Sequence, residues 1–496
     1  MRISSASWQR LESRSVTYPG AAHDETWRRL VFPGDYRNPE LRARYHLVVV
    51  GAGPAGLVVA IAAAGLGAKV ALVERTAMGG DCSNVGCVPS KALLEFTRKA
   101  SQPADFDRAF AWMRQVRAEI SRHDSVERYV DHGVDVFLGA ARLIDERTVQ
   151  VLDQRLSARR VVLATGARAV LPPIPGLEGC EPLTNETLFD LTERPERLAI
   201  LGAGPVGCEM AQVFSRFGVD VQLFETADRV LPSEAPEAGE IVGNALATGG
   251  VTLHLGAAVT AVSRQGASIT LTTGQTEASV DQVLVAAGRR ANVEDLNLER
   301  LGVEIDQGLI KVDKHLRTTH PKIFAAGDVC SRLQFTHNAD AHARIVVQNA
   351  LFVPTATTDK LVVPHCTYTS PEVAQVGPLR TELEASGIPF DSYRVSFGDL
   401  DRGRTEGDHE GFVEVLTERG RDRVLGATIV GHDAGEQIGS LCIAMRNDLG
   451  LSAIGKAVFP YPTRSEYLRR LADNYNRTRL TPMAKRIMQI WFNRSA

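Results

Sequence analysis

The sequence predicts an α/β protein with two copies of one strand–turn–helix unit, followed by a smaller α+β domain. Three observations predict it. A glycine-rich turn between a β-branched run and an alanine-rich or amphipathic helix occurs twice, starting at Gly51 and at Gly202. In both copies an acid stands 23 residues beyond the first glycine, Glu74 in one and Glu225 in the other. From about Lys360 the texture changes to alternating strands and then helices. A chain of 496 residues has room for three or four domains, each with its own core.

Composition excludes several classes of protein. Apolar residues make up 44% and the formal net charge is −3, so nothing global attracts nucleic acid. Only nine of the 56 basic residues are lysines, a compositional bias and not a patch. Seven cysteines without dense spacing form no disulfide framework and fit a cytoplasmic enzyme with a catalytic thiol pair. The first residues lack the apolar core of a signal peptide. Residues 1–14, rich in serine and arginine, are read as an ordinary extension and not a transit peptide, because acids and a Pro-Gly turn soon follow. Segment 47–68 is uncharged and long enough to cross a bilayer. Its five glycines and Pro54 fit strand, turn and helix better.

Taken in order, 46–50 is a buried strand, Gly51-Ala52-Gly53-Pro54-Ala55-Gly56 a turn, 57–66 a helix, and 69–73 a strand ending at Glu74. Such glycines allow backbone to approach a pyrophosphate, the helix N-terminus meets its charge, and the acid takes a ribose hydroxyl. The unit is therefore a Rossmann-like dinucleotide-binding device. It recurs as strand 198–201, turn Gly202-Ala203-Gly204-Pro205-Val206-Gly207, and strand 220–224 ending at Glu225. Two dinucleotides are expected. Segments 161–166, with Thr165 and Gly166, and 283–289, with Gly288 and Arg289, read as strands entering tight turns. Segment 323–328 has the same form but ends in Gly327-Asp328, and by residue type alone Asp328 is a turn or N-cap aspartate. Strands 412–416 and 427–430 and helices 436–446 and 466–474 make up the last domain.

The segment Gly79-Gly80-Asp81-Cys82-Ser83-Asn84-Val85-Gly86-Cys87-Val88-Pro89-Ser90-Lys91 carries the chemistry. A thiol pair beside a bound dinucleotide can exchange two electrons with it. A helix over 90–98 begins near the cysteines, and its N-terminus favours a thiolate. Residues five apart point away from each other on a regular helix, so pairing needs an irregular turn, which Gly86 supplies. Zinc would need two more ligands at matching spacing. Cys180, Cys208, Cys330, Cys366 and Cys442 stand singly and read as buried small hydrophobes, so no metal site is expected. His337 and His342 read as structural.

The cysteine segment, the duplicated turn, the Ala-Gly-Asp at 326–328 and the C-terminal domain, in this order, resemble the class I flavoprotein pyridine nucleotide-disulfide oxidoreductases. That family includes lipoamide dehydrogenase, glutathione reductase and, more similar to this chain, mercuric reductase. The resemblance covers roughly 45–474. It implies FAD at the first unit, NADH or NADPH at the second, and a homodimer. It divides the chain into an extension 1–44, an FAD domain 45–190 and 289–356, an NAD(P)H domain 191–288, a dimerisation domain 357–475 and a tail 476–496. It implies that Gly51, Gly53, Pro54, Ala55, Gly56 and Glu74 hold the ADP half of FAD. Asp328 would take the ribityl chain, replacing the plain turn reading. Gly80, Asp81, Thr165, Gly166, Gly288, Arg289 and Gly327 complete that cofactor set. Gly202, Gly204, Val206, Gly207 and Glu225 would hold the nicotinamide nucleotide. A carboxylate at 225 favours the free 2′-hydroxyl of NADH over the phosphate of NADPH, a preference that Arg229 softens. Lys91 and Glu209 match an ion pair near the flavin, Cys87 the thiolate against the ring, and Cys82 the interchange thiol.

One position departs from the pattern. Glutathione- and lipoamide-type members place a histidine before Pro-Thr, with a glutamate five residues later, and the partner subunit supplies both. Here Glu466 remains but Tyr461 replaces the histidine, and a phenol of reference pKa ~10 is a poor base at neutral pH. Mercuric reductases carry Phe-Pro-Tyr there too, yet their terminal cysteine pair and N-terminal Cys-x2-Cys are missing from this chain. The expected function is electron transfer from NAD(P)H through FAD and Cys82–Cys87 to a soft metal ion such as Hg(II), or to a small-molecule disulfide. Two alternatives stand beside it. One is a dithiol oxidase or dihydrolipoamide dehydrogenase-like enzyme running in reverse. The other is a flavin-binding protein working through membrane or partner contact of its tail, where Met483, Ile487, Ile490 and Trp491 share one helical face.

Overall fold

The computed structural model describes residues 18–274 and 276–495, so the 1–14 segment lies outside the described residues. The chain forms two compact units, one of 1–203, 209–226 and 249–360, the other of 204–208, 227–248 and 361–496.

The first unit opens with α1 (Ala21–Val31), then β1 (Tyr45–Val50), α2 (Pro54–Gly65) and β2 (Val70–Glu74). Helix α2 starts at Pro54, three residues before the sequence-predicted start. Proline's fixed φ suits a first helical turn, where no backbone N–H is needed. Next come α3 (Gly80–Val85), α4 (Cys87–Lys99), α5 (Phe106–Ile120) and β3 (Val134–Leu138). The meander β4 (Ala141–Asp145), β5 (Thr148–Val151) and β6 (Gln154–Leu163) follows. Strands β3, β2, β1 and β6 lie parallel in that order, with Val50 beside both Val73 and Leu163. Their apolar side chains are buried almost without exception, as a parallel sheet covered on both faces requires.

The order recurs. Strands β8 (Arg197–Leu201), β9 (Asp220–Phe224), β10 (Val251–His254) and β14 (Gln282–Val285) lie parallel as β10-β9-β8-β14, and α6 (Pro205–Arg216) follows β8. An antiparallel hairpin of β11 (Ala261–Gln265), β12 (Ser268–Thr273) and β13 (Thr276–Val280) is inserted before β14. A short ribbon pairs β7 (Ala167–Ala169) with β15 (Arg289–Ala291), so the outgoing and returning chains run side by side.

In the second unit five antiparallel strands cover residues 364–431. Helices α7 (Ala434–Arg446) and α8 (Glu466–Arg479) follow. Ile438, Leu441, Tyr467, Leu468 and Leu471 pack on Val413, Val415 and Ile429. Segment 227–248, placed by the sequence in the nicotinamide domain, groups here with 361–496: His365 Nε2 lies 2.8 Å from Glu234 Oε1, and Arg394 pairs with Glu237. The tail forms α9 (Pro482–Ser495), none of whose residues is buried.

Candidate active site

The two glycine turns begin with the same backbone conformation. Gly51 and Gly202 both adopt φ +102°, and a Cβ there would stand 2.3 Å from the Ala164 carbonyl oxygen or 2.6 Å from that of Ala286. The first glycine of each motif thus lets the turn pass under the end of the neighbouring strand. The acids close each turn: Ala52 N–H donates to Glu74 Oε2 at 2.7 Å, and Ala203 N–H to Glu225 Oε2 at 2.8 Å. Gly53 is open except toward the Gly80 Cα, and a Cβ at Gly204 would meet nothing within 4 Å. These open cradles at helix N-termini fit a pyrophosphate.

Around the first turn, the Thr165-Gly166 segment is locked by Asn292, whose side chain donates to the Thr165 carbonyl at 2.9 Å and whose N–H donates to Gly166 O at 2.9 Å. Arg289 pairs with Asp81, lies 3.9 Å from Asp328 Oδ2, and donates to Ala167 O at 2.9 Å. Burial raises the Asp328 carboxyl above its ordinary value, and the Arg289 guanidinium opposes that rise. Gly80, Asp81, Gly288, Arg289, Gly327 and Asp328 belong to the same unit, and the residues fit FAD: backbone donors for phosphate and a carboxylate for hydroxyls. Val206 is exposed at the start of α6.

Cys82 lies in α3 and Cys87 opens α4. Gly86 between them (φ −135°, ψ −112°) breaks the helix, the irregular turn that the spacing requires. Cys82 is half-buried and Cys87 exposed. The thiols are not equivalent. A hydrogen bond from Cys82, with help from the Lys91 ammonium and the Thr336 hydroxyl, outweighs burial and pulls Cys87 down to about 6. The same hydrogen bond, burial and the Cys87 charge push Cys82 well above the ordinary thiol value. Lys91 Nζ sits 2.7 and 3.0 Å from the carboxylate oxygens of the buried Glu209. Thr336 Oγ1, 3.8 Å from Cys87 Sγ, was not visible in the sequence, because 249 residues separate the two.

Tyr461 is exposed, and its hydroxyl donates to Asp401 Oδ2 at 2.9 Å. That bond to a carboxylate raises the phenol above its ordinary value, so it stays protonated. Glu466, the remaining member of the pair that the resemblance implies, is paired with Arg470 at 2.8 Å. His342 is buried, with Nδ1 3.4 Å from the Gly327 N–H, and His337 stacks on Phe335. Cys180 and Cys208 are buried. Cys330, Cys366 and Cys442 are only partly so, a correction to the sequence reading, though each packs against an apolar cluster. Arg229 donates to the Pro232 carbonyl at 2.9 Å. Among the described residues there is no cluster of three metal-ligating side chains, and no helix is long and apolar enough to cross a membrane.

Comparison with known proteins places this geometry. Residues 45–343 match the pyridine nucleotide-disulphide oxidoreductase family, and 363–472 match its dimerisation domain. The chain is 32% identical over 456 residues to a mercuric reductase of Streptomyces lividans, covering 87% of this chain and 96% of that protein. It is 32% identical over 441 residues to a dihydrolipoyl dehydrogenase of Chlamydia muridarum, covering 85% and 95%. Among solved structures, the HOCl-induced flavoprotein disulfide reductase RclA from Escherichia coli, as its Cu(II) complex, superposes with a TM-score of 0.80 at 29% identity, covering 87% of this chain and 99% of that one. The chain belongs to the class I pyridine nucleotide-disulfide oxidoreductases, an FAD- and NAD(P)H-dependent enzyme family.

Proposed function

We propose that this enzyme passes electrons from NADH through FAD and the Cys82–Cys87 pair to a soft metal ion such as Hg(II) or Cu(II). FAD, when bound, supplies the two-electron relay between nicotinamide and disulfide. Lys91, held by Glu209, offers positive charge beside Cys87 and keeps its sulfur anionic, ready to ligate a thiophilic ion. The Cys87 thiolate and the Cys82 thiol together give two electrons to one Hg(II), leaving Hg(0), or one each to two Cu(II), leaving Cu(I); they become a disulfide and release one proton, so no proton donor is needed. Gly51, Gly53 and Glu74 would hold the ADP half of FAD, and Glu225 the ribose of NADH.

The observation that carries this reading is Tyr461. Where a disulfide reductase needs a general acid to protonate the released thiolate, this chain has a phenol tied to Asp401, while Glu466 is occupied by Arg470. The names of two relatives, a mercuric reductase and a Cu(II)-complexed reductase, are in accord. The test is NADH oxidation by the purified holoenzyme with Hg(II), Cu(II), lipoamide, glutathione disulfide and a quinone. We expect a metal ion to exceed either disulfide by at least about tenfold, given the ~10²–10⁴-fold worth of a general acid. Equal or faster disulfide turnover would sink the proposal. The similarity to dihydrolipoyl dehydrogenase favours a second reading, in which the machinery oxidises a dithiol with NAD+. Faster flavin reduction by a dithiol than by NADH in stopped flow would establish it.

A further inference from the structure

Helix α1 lies before the first strand of the nucleotide-binding sheet and packs against α5. Its Trp27 is 1% exposed, and the indole Nε1–H donates to Asn84 Oδ1 at 2.7 Å. Asn84 stands two residues after Cys82 in α3. Its amide donates at 2.9 Å to the carbonyls of Met78 and Gly80, and its own carbonyl accepts from Arg117 Nη1 at 3.2 Å. Arg117 is fully buried, lies 4.1 Å over the Trp27 ring, and donates to Asp24 Oδ1 of α1 at 2.6 Å. Arg114 reaches the other oxygen of Asp24 at 3.2 Å. The Met78 N–H donates to the carbonyl of Val31, the last residue of α1, at 3.1 Å. Ser83, next to Cys82, donates to Asp124 at 2.7 Å.

A six-residue helix has little stability of its own, so its placement is set by what grips it. Here every polar group of Asn84 is held, and the grip from one side comes from α1. We propose that helix α1, through Trp27, is a positioning clamp for Cys82, setting the geometry of thiol exchange while leaving nucleotide binding alone. Trp27 acts through Asn84: the indole satisfies the side-chain oxygen, completing with the two amide donations the set of bonds that seats α3. This rests on Cys82–Cys87 being the redox pair, which a Cys82→Ser variant tests separately. If that variant keeps wild-type turnover of metal ions and disulfides, the pair itself is misassigned, whatever Trp27 does.

The test is Trp27→Phe in the FAD-loaded full-length enzyme, read three ways. These are the dithiol–disulfide equilibrium against a dithiothreitol buffer, the pH profile of thiol alkylation, and NADH–ferricyanide activity, which needs no thiol. We expect the thiol–disulfide equilibrium constant to move and thiol-dependent turnover to fall about tenfold, less than the roughly hundredfold of a 1 Å misplacement. The ferricyanide activity and FAD content should stay at wild-type values. Unchanged thiol properties, or an equal fall in both activities, would overturn the clamp and leave Trp27 a packing residue. Should Trp27→Phe fold poorly, benzothienylalanine at position 27 keeps the ring volume and removes only the N–H, and the same outcomes decide.

Discussion

Cys87 gains its character from three neighbours with separate roles. Cys82 and Thr336 offer hydrogen bonds to a thiolate, and Lys91 supplies a charge. A nearby cation favours the anionic form, so its removal raises the pKa. In Lys91→Met, the midpoint of Cys87 alkylation should therefore rise above about 6, and the Glu209 charge left behind adds to the rise. Lys91→Met with Glu209→Gln removes both charges, and its midpoint should lie between the single variant and the wild type. Iodoacetamide rates measured against pH check both, and a midpoint unmoved in the single variant would show that Lys91 has no hold on the thiol. The sign extends to stability. A thiol whose folded value lies below its ordinary one stabilises the fold fully above the ordinary value and loses that contribution as pH falls through about 6.

The glycine turns separate two jobs that their spacing in the sequence merges. At Gly51 an added Cβ clashes with the Ala164 carbonyl at a φ of +102°, so Gly51→Ala strains the fold itself, on the order of 3 kcal/mol. At Gly53 the nearest atom is 3.8 Å away and φ is −77°, so an alanine fits the protein but fills the approach of a pyrophosphate. Gly53→Ala should melt near the wild-type temperature and purify nearly free of flavin. Gly51→Ala should melt several degrees lower even before flavin is counted. Circular dichroism melts and the flavin-to-protein absorbance ratio check the contrast, and it fails if both variants behave alike. Both turns were legible in the sequence because each element is local: strand and helix flank the glycines directly, and the acid stands 23 residues after the first glycine. What holds the cysteine helices was not. Trp27 lies 57 residues from Asn84, Thr336 lies 249 from Cys87, and Asp401 lies 60 from Tyr461. Periodicity and motif spacing carry no information about such long-range side-chain pairs.

At the scale of the whole molecule the same limit governs assembly. The dimerisation domain is present, and Tyr461 and the thiols fall in different compact units. The resemblance of the C-terminal segment implies service across the interface. Symmetry turns that into arithmetic. Cys82→Ser is expected to be inactive as a homodimer and Tyr461→Ala weak, because a phenol that moves no proton still helps to orient a thiolate-bound ion. When the two are unfolded together and refolded as a mixture, half the dimers are mixed. If Tyr461 acts on the partner's cysteines, a mixed dimer has one site with both lesions and one site with none, and the mixture recovers about a quarter of wild-type turnover. If Tyr461 acts on the cysteines of its own chain, every site in a mixed dimer carries one lesion and nothing is recovered. Recovery of turnover would establish the homodimer and the shared site together. No recovery, with mixed dimers shown by a tag on one variant, would mean that Tyr461 acts within its own chain, whereas wild-type turnover of the Tyr461→Ala homodimer would move Tyr461 out of the active site and remove the main reason for preferring a metal ion over a disulfide.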